Sequence, residues 1–122
     1  MTKIFQILFF ICLVAIEYLA TTSSSIPVIE HTWDKANHFI AFFVLYILFS
    51  GGFNIFTLLG KVSLLFLFAF QIELIQYFIP NRNFSLWDIF ADCVGIILAI
   101  FVLSLYTQYI KKKVTYLGFI ER

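Results

Sequence analysis

The stretch QIELIQYFIPNRNFSLWDIFADCVG, Gln71 to Gly95, decides the fold because it sets charged residues within apolar helical segments. One apolar run stops at Pro80, which cannot continue a helix, and a second begins at Leu86. Glu73 and Asp92 lie inside these runs rather than at their ends. Charged groups within a membrane are expensive and normally face the interior of a helix bundle or a wet cavity. The stretch therefore predicts two membrane helices whose polar residues face inward.

Composition supports a membrane protein over the whole chain. Of the 122 residues, 62% are hydrophobic and 12% are charged, whereas soluble domains have about 45–50% apolar and about 25% charged residues. The length gives room for about four spans and no separate soluble domain, so residues 1–122 are predicted to form a single domain. A net charge of +1 gives no support for nucleic-acid binding. Cys12 and Cys93 lie in apolar runs and are interpreted as packing residues, without metal-ligand spacing.

Four segments approach the ~20 residues needed to cross the hydrocarbon core. They are Ile4–Ala20, Asn37–Leu58, Val62–Ile79 and Leu86–Ile110. An all-α bundle of four transmembrane helices follows, because backbone polar groups in lipid must be satisfied within each element. The first segment is similar to a signal peptide, but Glu17 and Tyr18 follow its apolar run without a clear cleavage site, so we expect a retained helix. Glu17 is interpreted as a lone group that reaches the interface.

The distribution of basic residues predicts the orientation. Most of them fall at one end of the bundle: Lys3, Lys61, Lys111–Lys113 and Arg122. Only Lys35 and Arg82 fall at the other end. Because the more positive side is normally cytoplasmic, both termini are predicted to be cytoplasmic. Trp33 and Trp87 would then lie at the outer interface, which indole rings prefer.

The polar residues of several spans are predicted to lie at one depth below that interface. Asp92 is roughly 7 Å below Trp87 and Glu73 is roughly 10 Å below Pro80, at 1.5 Å per helical residue. This layer predicts an outward-open polar pocket lined by the second, third and fourth spans, with Lys35 and Arg82 at its mouth. The candidate binding residues are Asp34, Lys35, His38, Glu73, Gln76, Arg82, Asp88 and Asp92.

Some of these residues also have ordinary structural explanations. Asp34 could be the N-cap of the second span. Ser85 and Asp88 match the Ser-x-x-Asp capping-box pattern. Lys35 and Arg82 could be interface cations that extend toward water. Glu73 and Asp92 have no such explanation, because neither is near a helix end.

Two motifs resemble those of VanZ-like membrane proteins. DKANHFIAFFVLYILF at Asp34–Phe49 resembles the Asp-Lys-x-x-His-Phe opening of that family, and ELIQYFIPNRNFSLWDIFADCVG at Glu73–Gly95 resembles its second signature. The positions of the second motif are Glu73, Gln76, Pro80, Arg82, Asp88, Asp92 and Gly95. Many members carry Asn where this chain has Asp92, and Ala99 replaces a second small residue that is often Gly.

The resemblance, over residues 34–95, implies a small multi-pass protein of the bacterial inner or plasma membrane. The family's namesake is associated with resistance to the glycopeptide teicoplanin, so an effect on glycopeptide susceptibility is one implied role. The family has no settled biochemical reaction.

The favoured function is the binding of a lipid-linked anionic head group, such as a polyprenyl phosphate or a phospholipid. Arg82 and Lys35 would contact the phosphate, Arg through a planar fork of donors and Lys as a point charge. Glu73 and Asp92 would hold these cations in place. His38 would donate a hydrogen bond or change its charge near neutral pH.

An enzyme acting on such a lipid is the first alternative. His38 would be nucleophile or general base, an aspartate (Asp34 or Asp92) would orient it, and Arg82 would stabilise charge. This alternative ranks lower because no compact catalytic motif is present, and we expect no resident cofactor or metal. A metal-dependent version would use hard ligands from His38, Glu73, Asp88 and Asp92.

A structural role is the second alternative, with function residing in a partner protein or a second copy of the chain. Interhelical hydrogen bonds in membranes contribute on average only about 0.6 kcal/mol, and about 1.7 kcal/mol at most. Such small contributions do not explain the burial of so many charges.

Overall fold

The computed structural model describes residues 1–22 and 34–120, apart from the side chain of Asp34. These residues form four helices and no strand: α1 (Thr2–Thr21), α2 (Asp34–Gly52), α3 (Leu58–Tyr77) and α4 (Leu86–Ile120). Each helix is long and apolar enough to cross a membrane. The prediction of an all-α bundle with four membrane-spanning helices is therefore confirmed.

Each helix runs antiparallel to the one before it, so α2 begins beside the C-terminal end of α1. At one end of the bundle, the side chain of Gln6 donates a hydrogen bond to the Gly52 carbonyl over 2.8 Å. At the other end, the Gln76 amide donates to the Ala20 carbonyl, also over 2.8 Å. α2 is the central helix and packs most extensively against α4 and then against α1.

The bundle has a narrow apolar core surrounded by exposed apolar side chains. The buried core comprises Phe9, Phe42, Leu45, Tyr46, Phe49, Leu65, Ala69, Ile72, Ile96 and Ala99. Large apolar residues also cover the outer faces of the helices, and Ile97, for example, is 65% exposed. A soluble protein rarely exposes apolar patches of this extent, whereas lipid solvates them. The surface therefore agrees with the membrane assignment.

Small residues allow α2 and α4 to come into close contact. Gly95 is buried in α4, and a Cβ atom there would overlap the Phe39 carbonyl oxygen of α2. Ala99, one turn further along, is fully buried. Because His38 precedes Phe39 and Asp92 lies one turn before Gly95, this contact also fixes the distance between the polar residues of the two helices.

Several predicted helix boundaries were wrong, including the start of the second span, which is Asp34 rather than Asn37. The second span ends at Gly52 rather than Leu58, and Leu58 instead begins α3, whose N-cap Thr57 accepts a hydrogen bond from the Gly60 N–H over 3.1 Å. This turn was missed because its residues are mostly apolar. α3 begins at Leu58 rather than Val62 and ends at Tyr77 rather than Ile79.

The predicted end of the fourth span, Ile110, was also wrong, because α4 continues to Ile120. Its 35 residues correspond to about 52 Å at 1.5 Å per residue, whereas the hydrocarbon core is about 30 Å thick. The last turns, which contain Lys111–Lys113, therefore extend beyond the membrane core.

Some predictions fall outside the described residues. They concern Trp33 as an interface marker and Arg122 as one of the basic residues that predict the orientation. Trp87, the other interface marker, is exposed in the first turn of α4.

Candidate functional site

The turn between α3 and α4 determines where Arg82 lies. The Arg82 N–H donates to the Ile79 carbonyl over 3.2 Å, which closes a four-residue turn. Pro80 occupies the second position, and Asn81 occupies the third with φ of 65°. Proline followed by a residue with positive φ is typical of a type II turn, and Asn tolerates this conformation better than most residues. The Pro-x-Arg motif is therefore a turn that points Arg82 back toward α1.

Arg82 contacts the C-terminal end of α1. Its Nη2 atom lies 3.3 Å from the Leu19 carbonyl oxygen and 3.5 Å from that of Thr22. The last carbonyls of a helix lack intrahelical partners and carry the negative end of the helix dipole, so a guanidinium is favourable there. The sequence predicted that carboxylates would hold this cation, but the hydrogen bonds found here go to backbone carbonyls.

The N-terminus of α4 is capped by residues of two different helices. The Asp88 N–H donates to the Ser85 hydroxyl oxygen over 3.3 Å, which confirms Ser85 as the N-cap. In a capping box, the Asp88 carboxylate would accept from the Ser85 N–H. Glu73 of α3 takes that place, since its Oε2 atom accepts from the Ser85 N–H over 2.8 Å. The Asp88 carboxylate is thereby directed toward α2.

His38 lies among three carboxylates, which we call the carboxylate cluster: Glu73, Asp88 and Asp92. Its Nδ1 atom lies 3.0 Å from Oδ1 of Asp92, and its Nε2 atom lies 3.7 Å from Oδ2 of Asp88 and 3.8 Å from Oε1 of Glu73. An ionised Asp92 only accepts hydrogen bonds, so its pairing with His38 requires a hydrogen on Nδ1. Nε2 consequently faces the other two carboxylates.

The cluster is buried. Glu73 and Asp92 are fully buried, and Asp88 is 4% exposed. Lys35, one turn before His38, places its Nζ atom 3.7 Å from Oδ1 of Asp88. Within the described part of the chain, Oε1 of Glu73 has no hydrogen-bond partner. Three possible ligand atoms, one each from His38, Glu73 and Asp88, lie within 4.8 Å of one another. This spacing could hold a metal ion.

A cavity of about 280 Å³ lies beside the cluster. Four polar side chains line it: Asn37, His38, Gln76 and Arg82. The remaining lining is apolar and comes from α1, α2 and α3: Ile16, Leu19, Ala20, Ile40, Ala41, Phe42 and Ile72. The sequence predicted a pocket lined by the second, third and fourth spans, but α1 takes the place of α4. Among the described residues, no carboxylate lines the cavity.

The candidate residues thus divide into two adjoining groups. Lys35, His38, Glu73, Asp88 and Asp92 meet in the cluster. Gln76 and Arg82 line the cavity, and His38 belongs to both groups. The side chain of Asp34 lies outside the described residues, so its capping and binding roles remain predictions.

Sequence reasoning missed two contributors. Asn37 lines the cavity, and its position beside His38 was the available signal. Glu17 was predicted to be a lone group, which is wrong, because its Oε1 atom accepts from the Gln71 amide over 2.8 Å. A glutamine inside the apolar run of α3 was the signal for this interhelical pair.

Comparison with known proteins identifies the family. The family model described as VanZ/LLP1 matches residues 2–107, which include α1, α2, α3 and most of α4. No curated protein and no solved structure matches the chain. Since the matched region covers most of the sequence and contains every residue of the cluster and the cavity, this chain belongs to the VanZ/LLP1 family.

Proposed function

We propose that this multi-pass membrane protein binds a lipid through its anionic, phosphate-bearing head group, and that the head group occupies the cavity between α1, α2 and α3. The observation that carries this proposal is the mixed lining of the cavity. A guanidinium and neutral amides lie within otherwise apolar walls. Ligand sites commonly combine an apolar lining with a few polar groups that orient the ligand.

The electrostatics of the cavity favour an anion. Among its described lining residues, Arg82 is the only one with a permanent charge. A guanidinium carries five N–H donors, so Arg82 can bind phosphate oxygens while Nη2 retains the α1 carbonyls. The amides of Asn37 and Gln76 supply neutral donors. The carboxylate cluster lies behind His38 and does not line the cavity, which limits its repulsion of a phosphate.

The position of the cavity favours a lipid over a soluble anion. Ile40, which lines the cavity, is 56% exposed on the outer surface of the bundle, and Leu19 is 36% exposed. The cavity therefore reaches the surface that acyl or prenyl chains would contact. A head group could enter sideways while its chains stay in the bilayer. With the termini in the cytoplasm, as we propose, the cavity would serve the outer leaflet.

Native mass spectrometry of the detergent-purified protein with its co-purifying lipids tests the proposal. We expect the wild type to retain a phosphate-bearing lipid. Arg82→Ala should lower this retention roughly ten- to hundredfold, because a hydrogen bond to a charged group contributes about 1.5–3 kcal/mol.

Lys113→Ala is the matched control, because it removes an exposed cation of α4 far along the chain from the cavity. It should leave the lipid profile unchanged. If Arg82→Ala elutes as a folded protein and carries the same lipids as the wild type, binding of an anionic head group is excluded.

The pairing of His38 with Asp92 favours a second candidate, an enzyme acting on the same lipid. An imidazole that donates Nδ1–H to a carboxylate over 3.0 Å resembles a general base with its orienting residue. This candidate requires the bound lipid to be converted on incubation, and His38→Gln to abolish conversion without releasing the lipid. An unchanged lipid mass in the wild type would leave binding as the function.

We further propose that binding of an envelope lipid gives the protein an effect on glycopeptide susceptibility. In a bacterial host that lacks the chain, expression of the wild type should change the inhibitory concentration of teicoplanin. Arg82→Ala should not, if the effect depends on lipid binding. If the wild type and Arg82→Ala change the inhibitory concentration equally, the effect on susceptibility does not depend on lipid binding in the cavity.

A further inference from the structure

We propose that His38, Glu73 and Asp88 form a binding site for a first-row divalent cation, such as Mn²⁺. The site stands on its own geometry, while a role in holding the phosphate rests on the proposed function. The Nε2 atom of His38 lies 3.7 Å from Oδ2 of Asp88 and 3.8 Å from Oε1 of Glu73. Metal–ligand bonds of about 2.1 Å place neighbouring ligands about 3.0–3.4 Å apart. Each distance from Nε2 is therefore a few tenths of an ångström longer than in a coordinated pair, and the three ligand atoms lie within 4.8 Å of one another, so a modest inward movement of the side chains would close them on a cation.

The ligands are already oriented by the residues behind them. Nδ1 of His38 is paired with Oδ1 of Asp92 over 3.0 Å, and with the hydrogen on Nδ1 the neutral imidazole carries its lone pair on Nε2. Oε2 of Glu73 accepts from the Ser85 N–H over 2.8 Å, which leaves Oε1 directed toward His38. Metal-binding histidines almost always donate their other ring N–H to a carboxylate, a carbonyl or water, and ligating carboxylates are in turn hydrogen-bonded. The cluster has both features.

The Oε1 atom of Glu73 independently indicates a missing partner. Glu73 is fully buried, and within the described part of the chain this oxygen accepts no hydrogen bond. Its distance of 3.8 Å from Nε2 of His38 is too long for a hydrogen bond. Leaving a buried carboxylate oxygen without a partner is costly. A cation between the two side chains would satisfy it.

Charge and donor type identify the kind of cation. The cluster carries three carboxylates, and Lys35 contacts Asp88 through Oδ1 rather than Oδ2. A divalent ion together with Lys35 would balance the three negative charges. Imidazole suits first-row transition metals, whereas carboxylate suits Mn²⁺ as well as Mg²⁺ and Ca²⁺. The mixed donor set therefore favours Mn²⁺ or a similar ion over Ca²⁺, which takes only oxygen ligands.

The site adjoins the cavity through His38, which belongs to both. Three protein ligands leave coordination positions for water or for an oxygen of a bound phosphate. A cation there would assist Arg82 in holding the head group and would shield the phosphate from the carboxylates. This arrangement explains why an anion-binding cavity lies against an acidic cluster.

Titration of Mn²⁺ onto the chelator-treated, full-length protein in detergent tests the site, with the free ion measured by its electron paramagnetic resonance signal. We expect saturable binding of one Mn²⁺ per chain. Glu73→Gln should weaken it by more than the roughly 10- to 100-fold loss that is typical of an outer-shell change. Glu17→Gln is the matched control, since Glu17 lies on α1 and also carries a buried oxygen that has no hydrogen-bond partner among the described residues. It should bind Mn²⁺ like the wild type.

Lys35→Gln separates a cation site from a self-contained network of ion pairs. It removes a positive charge that would repel Mn²⁺, so the affinity should rise severalfold at low ionic strength. The proposal is overturned if the wild type binds no Mn²⁺, if Glu73→Gln binds it as tightly as the wild type, or if Lys35→Gln weakens binding. The elution volume in size-exclusion chromatography and the thermal transition establish that each variant is folded.

Lipid retention measured before and after EDTA treatment separates this inference from the proposed function. Absence of Mn²⁺ binding together with Arg82-dependent lipid retention would refute the cation site and leave lipid binding intact. Saturable Mn²⁺ binding without any retained lipid would support the cation site and refute the proposal that the cavity binds a lipid. If both proposals hold, EDTA should lower lipid retention in the wild type.

Discussion

Asp92 is a fully buried carboxylate whose Oδ1 atom accepts the Nδ1–H of His38 from the neighbouring helix over 3.0 Å. The resemblance to VanZ-like proteins implies Asn at this position in many members of the family. An asparagine amide oxygen can accept the same hydrogen bond, because that interaction needs an acceptor rather than a charge. Asp92 therefore makes two separable contributions: the hydrogen bond that orients His38, and a negative charge.

We expect Asp92→Asn to retain nearly all of the stability of the wild type, because it keeps the acceptor for the Nδ1–H of His38. Asp92→Leu should lower the free energy of unfolding by about 1–3 kcal/mol, since it leaves a buried donor without an acceptor. Thermal unfolding of both variants in the same detergent, followed by circular dichroism, measures the difference. Equal losses in the two variants would mean that the charge of Asp92, rather than its hydrogen bond, stabilises the bundle.

Some site residues could be predicted from sequence because their chemistry is conspicuous in an apolar chain. Glu73 and Asp92 lie inside hydrophobic runs, so their burial and their convergence could be inferred. The partners of Arg82 could not, because backbone carbonyls carry no sequence signature. The pairing of Glu17 with Gln71 depends on how α1 is rotated against α3, which the weakly patterned apolar runs leave undetermined.

At the scale of the elements, the contact between α2 and α4 brings the carboxylate cluster together. Gly95→Ala should force these helices apart, because the added Cβ would overlap the Phe39 carbonyl oxygen. Backbone atoms cannot move aside as a flexible side chain can, and overpacking costs about 1–3 kcal/mol. We expect a lower thermal transition, and also weaker Mn²⁺ binding, since the separation of His38 from α4 would increase.

Gly118→Ala is the matched control for this prediction. Gly118 lies on the same helix, and a Cβ atom there would contact nothing within 4 Å. Alanine has a higher helix propensity than glycine by about 1 kcal/mol, so the control should be neutral or slightly stabilising. A Gly95→Ala variant as stable as Gly118→Ala would contradict the close packing of α2 on α4.

Element boundaries show the limits of hydrophobic patterning. The runs that form the four helices could be found because membrane helices must be long and apolar. The turn between Gly52 and Leu58 could not, because Phe53, Ile55 and Phe56 continue the apolar pattern through it. The continuation of α4 through Lys111–Lys113 was missed for a related reason. Lysine marks the membrane boundary but is also a good helix former, so it does not end a helix.

On the scale of the whole molecule, the up-and-down arrangement sets the two short turns at opposite ends of the bundle. Asn54 lies in the turn between α2 and α3, and Asn83 lies in the turn between α3 and α4; both are exposed. Arg82 and the cavity belong to the end that contains Asn83. Which leaflet supplies the lipid therefore depends on which of these turns faces the cytoplasm.

The excess of lysine near the Asn54 end predicts that this end is cytoplasmic. After Cys12 and Cys93 are replaced by alanine, Asn83→Cys should react with a membrane-impermeant maleimide in intact cells, and Asn54→Cys should react only after permeabilisation. The Asn54→Cys and Asn83→Cys variants serve as controls for each other, because both positions are exposed and the two turns lie on opposite sides of the membrane. The reverse pattern would place both termini outside, so that the cavity would take its lipid from the cytoplasmic leaflet and the cation site would draw on cytoplasmic metal.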